Sequence, residues 1–275
     1  MSYAFKALQL KARHQALSLL AGQSLSKRQG EGYDFAQLRE YQRGDEVRKI
    51  QWTITAKLGK PYIKELHANK ELHIVVATLS DAGLYFATDK SKEGMLCHIA
   101  SILAYASIGQ NDLFTGLAYK EAYSYASMPS KEPFIVEEFA KALFDSELLG
   151  TKLDKQNAVK DMFLRITKPS LVFVLGDFLD EVDLGVLAQK HEVLAIVIRH
   201  REEENPKNLG EISLNNPYDG TLLNTYFGKK TRKQFDAKRQ AHDAKMFEHF
   251  SAQGIRYVKI CSDEDPLAKL MALFI

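Results

Sequence analysis

Three positions in this sequence have the residue types and settings for oxygen-based chemistry. Asp81 lies in Leu-Ser-Asp-Ala-Gly at 79–83, just after an apolar run. Thr151 lies in Leu-Leu-Gly-Thr-Lys-Leu-Asp at 148–154, and Asp177 stands where the apolar run from 170 stops. Two carboxylates, a hydroxyl and water form a hard, all-oxygen shell suited to Mg²⁺. Asp180 adds a nearby carboxylate. With it, a Mg²⁺-dependent phosphoesterase or nuclease is conceivable, given a nucleophile or a second metal. No covalent nucleophile motif accompanies the three aspartates. The plainer alternative is that Asp81 and Asp177 cap the helices that follow them.

A second set lies at 38–65. Arg39, Arg43, Arg48, Lys49, Lys57, Lys60 and Lys64 alternate with Glu40, Asp45, Glu46 and Glu65, and Tyr41, Trp52 and Tyr62 are interleaved. Basic and aromatic residues together suit single-stranded nucleic acid. The interspersed acids favour a salt-bridged surface that docks a protein, through Arg39, Tyr41, Asp45, Arg48 and Trp52. The remaining chemistry-bearing residues read as structural. The eight histidines are scattered, and His98 sits on an apolar helical pattern. Cys97 and Cys261 fit neither a metal knuckle nor a disulfide framework. No nucleophile elbow, phosphate loop or dinucleotide fingerprint is present. The basic run at Lys229, Lys230, Arg232 and Lys233 opens a helix and reads as a solvated face.

The elements that must position these residues follow from periodicity. Phe5, Leu8, Leu10, Leu17 and Leu20 mark a helix over 3–21, ended by Gly22, with a loop over 23–34. Residues 62–66 alternate as a strand with mixed faces. Apolar runs at 72–79, 113–119, 170–176 and 192–199, with a last strand at 255–260, read as buried strands. Helices are expected at 91–108, 133–146, 155–166, 182–190 and 230–252, with a last one to the end; 201–220 reads as polar and turn-rich. Strands alternating with helices imply β-α-β units and an α/β, doubly wound sheet. The expected domains are 1–70, a helix and signature segment, and 71–275, the α/β domain.

The 275 residues carry 37 Lys and Arg against 35 Asp and Glu, with 45% apolar and 26% charged residues. This is a globular composition and excludes a disordered or collagen-like chain. A net charge of +2 argues against a protein dominated by phosphate contacts. No run is long and apolar enough for a membrane span, and Lys11, Arg13 and His14 break any signal-peptide shape. The expectation is a cytoplasmic protein.

The segment 33–65 resembles the signature of family 58 of the domains of unknown function. Phe35, Leu38, Arg39, Tyr41, Gly44, Asp45, Arg48, Ile50, Trp52, Ala56, Lys57, Gly59 and Lys60 fall on that pattern. The likeness continues in GTKL at 150–153, LGDFLD at 175–180 and NPYDG at 216–220. It implies a von Willebrand factor A-type domain, a doubly wound and mostly parallel sheet, behind a small β-rich extension. It also implies a non-enzymatic protein-protein interaction role as adaptor or co-chaperone. The partners would be a MoxR-type AAA+ ATPase and an unknown client undergoing assembly. A-type domains often hold a metal-ion-dependent adhesion site whose first loop is Asp-x-Ser-x-Ser. Here the registers give Leu79, Asp81 and Gly83, or Thr78, Ser80 and Ala82. Thr151 matches the second loop and Asp177 the third, so the site is degenerate. Mg²⁺ at Asp81, Thr151 and Asp177 is the one candidate cofactor.

Overall fold

A computed structural model of the chain describes residues 3–28, 35–43, 45–66, 71–86, 92–121, 123–207 and 209–273. Its contacts divide it into two compact units, Ala21–Glu71 and the pair of segments Met1–Leu20 with Leu72–Ile275. The first twenty residues thus belong with the larger unit rather than with the signature segment.

Helix α1 spans Tyr3–Arg28. In the larger unit its buried stripe is Phe5, Ala12, Ala16 and Leu19, while Leu10 and Leu17 are exposed. The small alanines let the helix approach its neighbours closely, a signal that counting leucines misses. Gly22 does not end the helix: one glycine costs only about 1 kcal/mol in a helix interior. The expected loop at 23–34 is therefore helical to Arg28, and its remainder lies outside the described residues, as does Gly44.

In the smaller unit, β1 (Phe35–Glu40) pairs antiparallel with β2 (Tyr62–Leu66). Between them a 3₁₀ turn at Val47–Lys49 leads into α2 (Trp52–Leu58). Gly59, at φ 72°, closes α2 by donating its N–H to the Thr55 carbonyl. A side chain would resist that left-handed conformation. The expected β-rich extension is therefore a two-stranded ribbon with a helical insert.

The larger unit continues with β3 (His73–Leu79), α3 (Lys92–Gly109), β4 (Leu113–Lys120), β5 (Tyr123–Ala126), α4 (Pro133–Phe144) and α5 (Lys155–Arg165). Then come β6 (Leu171–Gly176), α6 (Gly185–Ala188), β7 (Glu192–Arg199), α7 (Arg201–Glu204), β8 (Gly210–Asn215) and β9 (Leu222–Phe227). It ends with α8 (Lys229–Ala252), β10 (Arg256–Cys261) and α9 (Pro266–Ala272). The central sheet has the order β10-β7-β6-β3-β4-β5. Its pairs are parallel except for β5, which folds back antiparallel on β4.

Strand residues alternate between two cores, which is why the buried strands read as continuous apolar runs. Ile74, Val76, Phe114, Phe173, Leu175, Leu194 and Ile196 pack under α1, α3, α4 and α9. Val75, Ala77, Leu79, Val172, Val174, Ala195 and Val197 pack under α5, α6 and α8. The fold is α/β with helices on both faces of a mostly parallel sheet. β8 and β9 form a separate antiparallel ribbon; β8 falls inside the stretch expected to be turns and β9 just beyond it. The ribbon escapes a burial-based reading because most of its residues are exposed, Leu214, Leu222, Leu223 and Tyr226 among them.

Candidate functional site

The chain leaves β3 toward β4 on one side, while β6 lies on the other. Strand order therefore reverses between β3 and β6, and the crevice of an open α/β sheet lies at the carboxyl ends of such a pair. Asp81 follows β3 and Asp177 follows β6, so the topology places both carboxylates there. Each is about 1% exposed. Asp81 Oδ1 accepts the Gly83 N–H at 2.9 Å and so caps a 3₁₀ turn, Ala82–Leu84. Asp177 Oδ1 accepts the Leu179 N–H at 3.3 Å. Between these two lies Phe178 at φ 50°, a left-handed conformation that non-glycine residues seldom take. Burial of the Phe178 ring against Phe250, edge-on at 5.7 Å, holds the turn that aims Asp177 inward.

Two lysines meet these carboxylates. Lys155 Nζ lies 3.3 Å from Asp81 Oδ2, 3.3 Å from Asp177 Oδ1 and 2.8 Å from Asp180 Oδ2. Lys92 Nζ lies 3.8 Å from Asp177 Oδ2 and 2.5 Å from Glu203 Oε1. Lys155 is 5% exposed and Lys92 fully buried. Glu203 is fixed from behind, since its other oxygen accepts the His200 N–H in a capping box at the start of α7. On the far side the Tyr218 hydroxyl donates to Asp81 Oδ1 at 3.3 Å. Burial opposes the charge on Lys155, but Asp177, Asp81 and Asp180 outweigh it and raise the ammonium pKa above its ordinary value. Burial likewise opposes charge on Asp177, and Lys155 and Lys92 together hold its pKa below the usual carboxylate range. Lys155 and Asp177 are therefore both charged at neutral pH and hold each other.

The motifs at 150–153, 175–180 and 216–220 meet around this network. The Ala82 N–H donates to the Thr151 carbonyl at 3.1 Å, and the Gly150 N–H to the Pro217 carbonyl at 2.9 Å. Asp81 and Asp177 thus converge as expected, and the Thr151 loop joins them. The Thr151 hydroxyl, however, donates to the Leu148 carbonyl at 2.7 Å. Mg²⁺ asks for near-octahedral oxygens at about 2.1 Å. The residues present do not fit it, because the Lys155 ammonium is bound to both carboxylates that would supply them. Among the described residues no group of His, Cys, Asp or Glu is placed to hold a metal ion.

Gly83 reinforces this arrangement. A Cβ there would lie 2.7 Å from both Asp177 Oδ2 and the Tyr218 hydroxyl, so the glycine is what allows the close approach. Sequence reasoning missed Lys92, Lys155, Glu203 and Tyr218. A signal was available for the lysines. Each opens a helix, where the macrodipole disfavours a cation unless acids compensate it.

In the smaller unit, Arg39 and Asp45 form a two-pronged ion pair at 2.7 and 2.8 Å. Asp45 Oδ2 also accepts the Gln42 N–H at 2.7 Å. The pair therefore braces the turn after β1. Lys60 reaches Glu40 across the ribbon at 3.0 Å. Tyr41 is half-buried, Arg43 and Arg48 are exposed, and Trp52 is 64% exposed. The Lys49 and Lys64 side chains lie outside what the structure describes. Elsewhere, His98 is a buried core histidine pushed down to about 4, chiefly by burial. Burial pushes the Cys97 thiol up to about 12. Among the described residues no helix is long and apolar enough to cross a membrane.

Comparison with known proteins places this geometry in context. Three mycobacterial proteins are each 24% identical over 281 residues, covering 98% of this chain and 88% of their own length. They are the uncharacterized proteins Rv1480 and MT1527 of Mycobacterium tuberculosis and Mb1516 of Mycobacterium bovis. Among solved structures, the conserved hypothetical protein BatB of Bacteroides thetaiotaomicron aligns with a TM-score of 0.43 and 10% identity, covering 74% of this chain and 97% of that one. An aerotolerance-related membrane protein of Bacteroides fragilis aligns with a TM-score of 0.42 and 8% identity, covering 74% and 95%. The family model described as protein of unknown function DUF58 matches residues 37–245, which take in most of the β1–β2 ribbon, the central sheet except β10, and every charged group of the crevice. The chain belongs to the DUF58 family.

Proposed function

We propose that this chain is a non-enzymatic protein-interaction module. In this reading it is a cytoplasmic adaptor or co-chaperone of a MoxR-type AAA+ ATPase, acting in the assembly or maturation of a client protein. Its larger unit is read as a von Willebrand factor A-type domain, and either the strand-end crevice or the 39–64 surface meets the partner. The observation that carries this is the state of the crevice. Where an α/β sheet would place its reacting groups, the buried carboxylates are each bound to an ammonium group. General acid–base work needs a group poised to change protonation near the working pH. The opposing shifts of Lys155 and Asp177 move both away from that condition. The ATPase partner comes from the resemblance carried by the 33–65 signature. The test is co-purification with the cognate MoxR-type ATPase, nucleotide-free, with ADP and with a non-hydrolysable ATP analogue. Capture in at least one state is expected, and failure in all three overturns the partnership.

A Mg²⁺-dependent phosphoesterase or nuclease loses its main support, since its carboxylates are engaged by Lys155. A single-strand nucleic-acid binder is the second reading, favoured by the exposed Trp52 beside exposed basic residues. It demands an affinity for oligonucleotide that falls steeply as salt rises.

A further inference from the structure

We propose that the Lys155 ammonium is the resident cation of the strand-end crevice, standing where a divalent ion would bind, so that the native chain works there without metal. The inference rests on the crevice geometry alone and not on the identity of any partner.

Three features point the same way. Lys155 touches three carboxylates from separate positions in the chain, Asp81 at 3.3 Å, Asp177 at 3.3 Å and Asp180 at 2.8 Å. Such convergence of carboxylates on one buried point is what a hard dication requires. Lys92 approaches the opposite oxygen of Asp177, at 3.8 Å. A metal ion bridging Asp81 and Asp177 would therefore face two like charges in a site of low dielectric. Finally, Gly83 lets Asp177 and Tyr218 close over the position where a serine side chain would otherwise project. Lys155 is also the first residue of its helix, following the Asp154 cap. A cation there opposes the helix dipole, so the carboxylates, not the helix, account for its placement.

If the ammonium takes the place of a metal ion, removing it should create a metal site. Mn²⁺ is the probe, followed by calorimetry and by thermal melting of the full chain. Wild type is expected to show no saturable Mn²⁺ binding and an unchanged melting temperature. Lys155→Ala is expected to melt lower and to recover in a saturable manner with Mn²⁺. That recovery should disappear when Asp177→Asn is added. Lys155→Gln, which keeps more of the volume and carries no charge, serves the same arm where the alanine variant does not fold. Micromolar Mn²⁺ binding by wild type that is lost in Asp177→Asn overturns the proposal, and this arm needs no lysine variant. A folded Lys155 variant that takes up no Mn²⁺ at millimolar concentration overturns it equally.

Discussion

The strand-end crevice and the ribbon unit at 35–66 are built from the same kinds of charged residue, and they use them differently. In the crevice Lys92, Lys155, Asp81, Asp177 and Glu203 are all at least nine-tenths buried. In the ribbon unit Arg39 and Asp45 are partly exposed, and Lys60 and Glu40 face water. Coulomb attraction is screened at the surface, and such pairs are worth little. Buried pairs repay their desolvation only while every partner is present. The crevice charges are therefore a single unit that fails together. The ribbon charges shape a turn and lie nearer to solvent.

The sharpest way to break this contrast is Lys92→Met. The substitution keeps much of the volume but leaves Asp177 and Glu203 buried with less compensation. Breaking a buried pair costs about 3–5 kcal/mol, so the urea midpoint should fall clearly with little change in slope. A shift no larger than that of a surface lysine would mean that water reaches the crevice and screens it. The cost should also couple to Lys155→Gln in a double-mutant cycle, because both lysines act on Asp177.

A second test uses pH. His98 is buried and pushed down to about 4, first by burial and then by Lys11, with Asp265 opposing. Its folded pKa lies below its unfolded value of about 6.5. Between these values the unfolded chain binds a proton that the folded chain refuses. The stability is therefore complete above about pH 6.5 and lost as pH falls toward 4, by up to about 1.4 kcal/mol per pH unit. His73 and His191 are shifted the same way by burial, so their contributions too begin to be lost as pH falls below about 6.5. Denaturation of His98→Met across that window should show a shallower decline than wild type. Parallel curves would mean that His98 protonates freely in the folded chain. Asp177 should add to this slope only below about pH 5, where an unfolded aspartate begins to protonate while the folded one is held below the ordinary carboxylate range.

Much of this architecture was legible from residue patterns, and the reasons are physical. Strands buried on both faces must be continuously apolar, so β3, β6 and β7 stand out in the sequence. Asp81 and Asp177 could be placed at one crevice because an apolar run that stops at a carboxylate marks a strand end. Burial of charge, by contrast, left little trace. Lys92 and Lys155 show only one trace, a cation at the start of a helix, and nothing in the sequence names the carboxylates that converge on them. Nor does Tyr218 of NPYDG announce a contact with Asp81, 137 positions away. The ribbon β8–β9 was hidden for the opposite reason: exposed apolar residues on a two-stranded element follow no burial period. Conversely, the most conspicuous sequence feature, the basic and aromatic block, contains an ion pair whose visible role is local. Arg39 and Asp45 stabilise their own turn, and Trp52 is the aromatic residue this block presents openly.

That last point sets the smallest prediction, Arg39→Met. The Arg39 guanidinium makes two charge-assisted bonds to Asp45, and Asp45 also accepts the Gln42 N–H. Two-pronged pairs are among the stronger ionic contacts, but this one is partly solvated, and the expected loss is about 1 kcal/mol. The loss should be local. Amide exchange should quicken at Gln42 and along the β1–β2 pairing, while amides of β3 and β6 keep their protection. Faster exchange across the central strands would mean that Arg39 supports the larger unit as well, and the contrast between a shared buried network and a locally acting surface pair would fail. Unchanged exchange everywhere would free Arg39 from its structural role and return it to the partner-facing set with Arg48 and Trp52.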